Sequence, residues 1–206
     1  SRFVRRRGSG NSTVECDILI SPMPHRRPLP KICIALGFAD ASTLIAHARQ
    51  EYEAGERFFE FRLDYLPHPE QGFRATSEFL ATHSDCSILA TCRRHQNHGR
   101  FNGSIEEQVK VLGGAIDAGA QAVDVEIESA ESIAAHLEEL RAKAMLVLSY
   151  HNYGGTPALE TVARRMMRIP ADAYKIVTTA RKPSDNFRVL NLAKLFSKQN
   201  LILLAM

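Results

Sequence analysis

The chain has 206 residues, 45% of them hydrophobic and 24% charged, which suits one domain with a substantial core and excludes both a disordered chain and a membrane protein. The formal charge of +3 is local: residues 1–30 carry six Arg against Glu15 and Asp17, a net +4, so the other 176 residues sum to −1. The body of the chain therefore offers no electrostatic footprint for nucleic acid.

Residues 1–30 are polar, rich in Arg, Pro, Ser and Gly, and lack periodicity, so little order is expected before Lys31. The chain starts at Ser1, and "MPHRRPLPKICIALG" from Met23 makes a natural start, so residues 1–22 read as extraneous. The brief apolar run "DILI" is too short for a secretory signal. Cys16, Cys33, Cys86 and Cys92 form no CxxC pair, which suggests neither a zinc site nor a disulfide framework; a reduced, cytoplasmic protein is expected.

From Lys31, short apolar runs alternate with longer stretches of helical periodicity, the signature of βαβ units around a parallel sheet. Strands are predicted over 31–36, 57–63, 87–92, 122–127, 144–150, 173–179 and 201–205. Between them, helices are predicted near 41–54, 71–83, 104–118, 130–141, 157–168 and 185–198. Ser104 with Glu107 forms a capping box for the third helix, which Gly119 closes, and Thr156-Pro157 starts the fifth. The first βα turn, "ALGFADAST", has no GxGxxG to mark a dinucleotide site. A doubly wound open sheet and a (β/α)8 barrel both fit the repeat.

Polar residues near the strand ends favour the barrel. The second strand carries Glu60, Arg62 and Asp64, the third leads to Arg93 and Arg94, the fourth carries Asp124 and Glu126, His151 follows the fifth, and Lys175 interrupts the sixth. Charges from the carboxyl ends of successive strands converge only if the strands curl into a ring. Because side chains alternate across a strand, Glu60, Arg62 and Asp64 are expected inside and the phenylalanines around them outside.

Lys175 is the least expected residue, because a buried ammonium is costly unless paired or neutral. Beside cations such as Arg62 or Arg93 its pKa would fall, fitting it to attack a carbonyl; the plain alternative is an edge lysine whose head reaches water. His151 alone reads as a histidine capping the core; one βα unit before a strand lysine, it completes a proton-abstraction pair. Arg62 and Arg93 suit a carboxylate or phosphate, and equally suit neutralising Glu60, Asp64, Asp124 and Glu126. His47, His83 and His136 lie on predicted helices as surface or packing residues.

The stretches "KICIALG", "EFRLDYL", "ATCRR", "VDVEI", "LSYHNY" and "YKIVTTA" resemble type I 3-dehydroquinate dehydratases, the Schiff-base enzymes of the shikimate pathway, over about residues 31–206. The resemblance implies a (β/α)8 barrel with only about seven strands present here. It implies Lys175 as the Schiff-base lysine, His151 as the general acid/base, and Glu60, Arg62 and Arg93 as contacts to 3-dehydroquinate. Asp64 and Asp124 would support them, with Glu126 below the lysine helping to set its protonation. Neither metal nor cofactor is implied; a homodimer and a fusion to shikimate dehydrogenase are compatible with it. Where the family often has a carboxylate that orients the histidine, this chain has Asn97, "HG" stands for a common "GG", and Ala35 replaces a small polar residue. Another Schiff-base lyase of aldolase type and a non-catalytic relic stay open as alternatives.

Overall fold

A computed structural model describes residues 29–206. The expectations for residues 1–28, Cys16 included, lie outside the described residues. Seven parallel strands follow one another in chain order: β1 (Ile34–Leu36), β2 (Phe58–Arg62), β3 (Ser87–Thr91), β4 (Ala122–Glu126), β5 (Met145–Asn152), β6 (Ala173–Thr178) and β7 (Leu201–Ala205). The helices are α1 (Ala41–Glu53), α2 (Gln71–Thr82), α3 (Ile105–Asp117), α4 (Ile127–Ala130), α5 (Ala134–Lys143), α6 (Leu159–Met166) and α7 (Pro183–Leu195). All seven strands fall where the apolar runs predict them.

The sheet is rolled, and one contact proves it. Lys175 on β6 reaches Glu60 on β2 at 3.3 Å. Those strands stand four steps apart, about 19 Å across a flat sheet, beyond the joint reach of two side chains. The seven strands therefore form an open α/β barrel with helices outside, and among the described residues β1 and β7 do not pair.

Alternation along each strand divides the chain into two apolar regions. Phe59, Phe61, Ile88, Val123, Leu146 and Ile176 point outward and are fully buried against the helices. Phe58, Leu89, Ala122, Val147 and Ala173 point inward and close the floor of the barrel. Phe58 thus departs from the expectation that the phenylalanines face out: it shares the parity of Glu60, and at the strand's start it lies below the polar layer.

The capping box of α3 is present, with the Ser104 hydroxyl accepting from the Glu107 amide and the Glu107 carboxylate accepting from Ser104. Gly119 takes φ +109° after the helix, a conformation that costs a glycine little. Two boundaries differ from the sequence pattern. The stretch predicted as one helix near 130–141 is divided into α4 and α5. The fifth predicted helix, α6, begins at Leu159 rather than at Pro157, and the Thr156 hydroxyl donates to the Thr179 carbonyl. His47 stacks on Phe38 and His83 on Phe79, the packing roles expected of them.

Candidate active site

On β2 to β6 the residues of inward parity beyond the floor are polar apart from Val177. Glu60 and Arg62 come from β2, Thr91 from β3, Asp124 and Glu126 from β4, Ser149 and His151 from β5, and Lys175 from β6. Arg93 follows β3 and is buried, and Asp64 lies in a single 3-10 turn after β2, also buried. A buried polar layer of this size is stable only if its members satisfy one another.

Most of them do so, in two linked groups. The Lys175 ammonium donates to Asp124 at 3.1 Å and to both Glu60 oxygens at 3.3 and 3.4 Å. Ser149 donates to Asp124 at 2.6 Å and Thr91 to Glu60 at 2.7 Å, which fixes both carboxylates. In the second group Glu126 accepts from Gln108 of α3 at 2.7 Å and from the Arg94 amide at 3.2 Å. Arg93 joins the groups, 3.7 Å from Asp124 and 3.7 Å from Glu126. Arg62 is committed elsewhere, donating twice to Asp64 at 2.9 and 2.8 Å.

This placement changes two expectations. Burial lowers the lysine pKa, but Asp124 and Glu60 outweigh it and the net shift is upward, so the resting group is an ammonium. The expected downward shift assumed that Arg62 and Arg93 were the controlling neighbours; Arg93 does push it down, while Arg62 is occupied by Asp64. Glu126, in turn, contacts Arg93 and Gln108, and the carboxylates touching the lysine are Asp124 and Glu60. Burial and the neighbouring Asp124 push the Glu126 carboxyl up to about 7.

His151 carries the opposite perturbation. Burial and the cationic Arg93 pull its pKa down to about 3 against the pull of Asp124, so at ordinary pH the imidazole is neutral and able to accept a proton. Its Nδ1 is buried with no hydrogen-bond partner among the described residues. Arg93 Nε and Nη2 are likewise buried without hydrogen-bond acceptors there. The site thus holds a paired ammonium, a neutral base and two guanidinium nitrogens that face Glu126 and Asp124 at 3.7 Å without hydrogen-bonding them. No group of three or more His, Cys, Asp or Glu among the described residues is arranged to hold a metal ion.

Thr91 and Ser149 were legible, since they share inward parity with Arg93 and His151. Gln108 was not, because it lies on α3 and reaches Glu126 only through packing. Asn97 donates to Glu128 at 2.9 Å.

Parallel strands rolled about an interior lysine, with polar groups at their carboxyl ends, define an α/β-barrel chain with a site where such barrels carry their chemistry. The sequence profile described as type I 3-dehydroquinase matches residues 32–206, and the chain belongs to that family. A 3-dehydroquinate dehydratase of Dehalococcoides mccartyi is 33% identical over 180 residues, 86% of this chain and 75% of the relative. One from Desulfotalea psychrophila is 34% identical over 185 residues, 85% of this chain and 76% of the relative. The crystal structure of a type I 3-dehydroquinate dehydratase from Clostridium difficile superposes with a TM-score of 0.77 at 19% identity, covering 87% of this chain and 77% of that one, a likeness of fold. No helix among the described residues is long and apolar enough to cross a membrane.

Proposed function

We propose that the protein dehydrates 3-dehydroquinate to 3-dehydroshikimate through an imine on Lys175, with His151 as general acid/base. The observation that carries this reading is the lysine itself, an amine inside a barrel 3.1 Å from Asp124 and 3.3 Å from Glu60, beside a histidine kept neutral. Family membership and the named relatives supply the substrate.

The chemistry runs in balanced steps. The ammonium gives up a proton and its freed pair attacks the ketone carbon; that proton and a second one from the nitrogen end on the ketone oxygen, which leaves as water, and an iminium remains. The iminium withdraws electrons from the neighbouring carbon, and His151 takes a proton there. The same His151 then protonates the adjacent hydroxyl, which departs as water. Hydrolysis of the imine consumes one water and frees Lys175, so one water is lost overall. Glu60, Arg62 and Arg93 contact the substrate in this reading, and Arg93 supports it by keeping two guanidinium nitrogens without hydrogen bonds, held only at 3.7 Å from Asp124 and Glu126. Asp64 holds Arg62, Asp124 holds the lysine head, and Glu126 seats Arg93.

Turnover of 3-dehydroquinate by the purified protein and its variants tests this. Lys175→Met should lose both the imine and turnover. His151→Ala should still form the imine while losing turnover about a hundredfold or more, the usual contribution of a general acid/base. Undiminished turnover in either variant contradicts the assignment of that residue.

A further inference from the structure

A histidine that moves protons in both directions must keep its ring at a fixed angle to the reacting carbon, and hydrogen bonding of the second ring nitrogen is the usual means. In this chain that means is missing among the described residues, because His151 Nδ1 is buried without a hydrogen-bond partner. Asn97, on the facing loop, spends its amide on Glu128. Beside the imidazole lies an aromatic ring. Tyr153 lies 6.1 Å from it, centroid to centroid, at an interplanar angle of 21°.

Tyr153 stands two residues beyond His151, just past the end of β5, and 37% of it is exposed. Its strand alone therefore does not hold the ring. The second contact comes from His98, whose ring meets Tyr153 edge-on at 4.7 Å and 72°. His98 is the single non-glycine residue at positive φ among the described residues, at φ +61° and ψ 25°. Histidine tolerates this left-handed region better than most residues, yet occupying it is unfavourable relative to glycine. The turn is secured by backbone bonds from the His98 amide to the His95 carbonyl and from the Gly99 amide to the Arg94 carbonyl. It also leads directly from Arg93, whose guanidinium lies in the site. The strained residue therefore presents a ring to Tyr153 from a loop anchored to the site.

Resting on the proposed role of His151 as general acid/base, we propose that Tyr153, braced by His98, is the positioning residue that fixes the angle of the His151 imidazole. His98 acts through Tyr153, and neither contacts the reacting atoms. Packing between rings thus does what a hydrogen bond to Nδ1 does elsewhere, and leaves that nitrogen free of a charged partner.

The test compares kcat, KM and borohydride-trapped imine for His98→Gly, Tyr153→Leu, Tyr153→Phe and the His98→Gly/Tyr153→Leu double variant. Glycine is at ease at φ +61°, so His98→Gly should fold at least as well as the parent by thermal melting. It should nevertheless lose roughly tenfold in kcat, since loss of alignment away from the chemistry costs rate, with KM and trapped imine unchanged. Tyr153→Leu should lose as much, Tyr153→Phe should recover most of it, and the double variant should be no slower than Tyr153→Leu, because the two residues act in series. Parental kcat in His98→Gly and Tyr153→Leu, in a protein whose His151→Ala variant is slow, overturns the positioning role alone. A rise in KM without loss of kcat overturns it in favour of a substrate contact. Normal turnover in His151→Ala overturns the reading beneath it.

Discussion

Two buried groups in the site titrate abnormally in opposite senses, and their effects on stability oppose each other. Glu126 holds its proton up to about 7 when folded and releases it near 4.5 when unfolded, so the folded state binds the extra proton between those values. Its contribution to stability is fully present below 4.5 and is lost as pH rises through 7. His151, with a folded pKa of about 3 against 6.5 unfolded, does the reverse. There the unfolded state binds the extra proton, and stability rises from pH 3 to 6.5. Between 4.5 and 6.5 the two slopes nearly cancel. Glu126→Gln should therefore gain stability relative to the parent as pH climbs from 4.5 to 7, by up to about 1.4 kcal/mol per pH unit. Urea denaturation at four pH values measures this, and parallel curves for parent and variant contradict the buried, protonated Glu126.

At the scale of elements, strand parity was the legible quantity. "FFEFRLDYL" announced which side chains enter the barrel, and Glu60 and Arg62 do so because period-two alternation is a property of the backbone. What alternation could not reveal is which residues meet across the ring. Lys175 contacts partners 115 and 51 residues away, so its pKa shift took the opposite sign to the one expected from its cationic neighbours. The ring contacts of Tyr153 and His98 were invisible for a related reason: both lie in loops, where no period applies. Parity also explains the exposure at the two ends of the sheet. Ile202 and Leu204 have inward parity on β7 yet are 38% and 42% exposed, because no strand lies beyond them among the described residues. An apolar edge without an inward charge invites pairing with another chain. Sedimentation of the 206-residue chain should accordingly show concentration-dependent association, which Leu204→Lys should reduce. A monodisperse parent, or association unaffected by Leu204→Lys, contradicts the edge as its source.

For the whole molecule, the decisive fact is that a rolled sheet brings β2, β4 and β6 to one point. Floor residues such as Phe58 and Val147 exclude water from below, outward residues such as Phe61 and Ile176 pin the strands to the helices, and the polar layer rests between them. Within that layer Asp124 and Glu60 hold the lysine as an ammonium and His151 is neutral; in the proposed reaction the first gives up a proton and the second takes one from the substrate. The fold thus brings the Lys175 amine to carboxylates 115 and 51 residues away, with the His151 imidazole on the neighbouring strand, and family membership names the carbonyl that the proposed reaction would meet. The measurement that tests this most directly is borohydride reduction of the protein in the presence of 3-dehydroquinate, followed by peptide mass mapping. A single reduced adduct on the peptide containing Lys175, absent from Lys175→Met, is the expected result; an adduct on another lysine, or none in a protein that turns the substrate over, contradicts it.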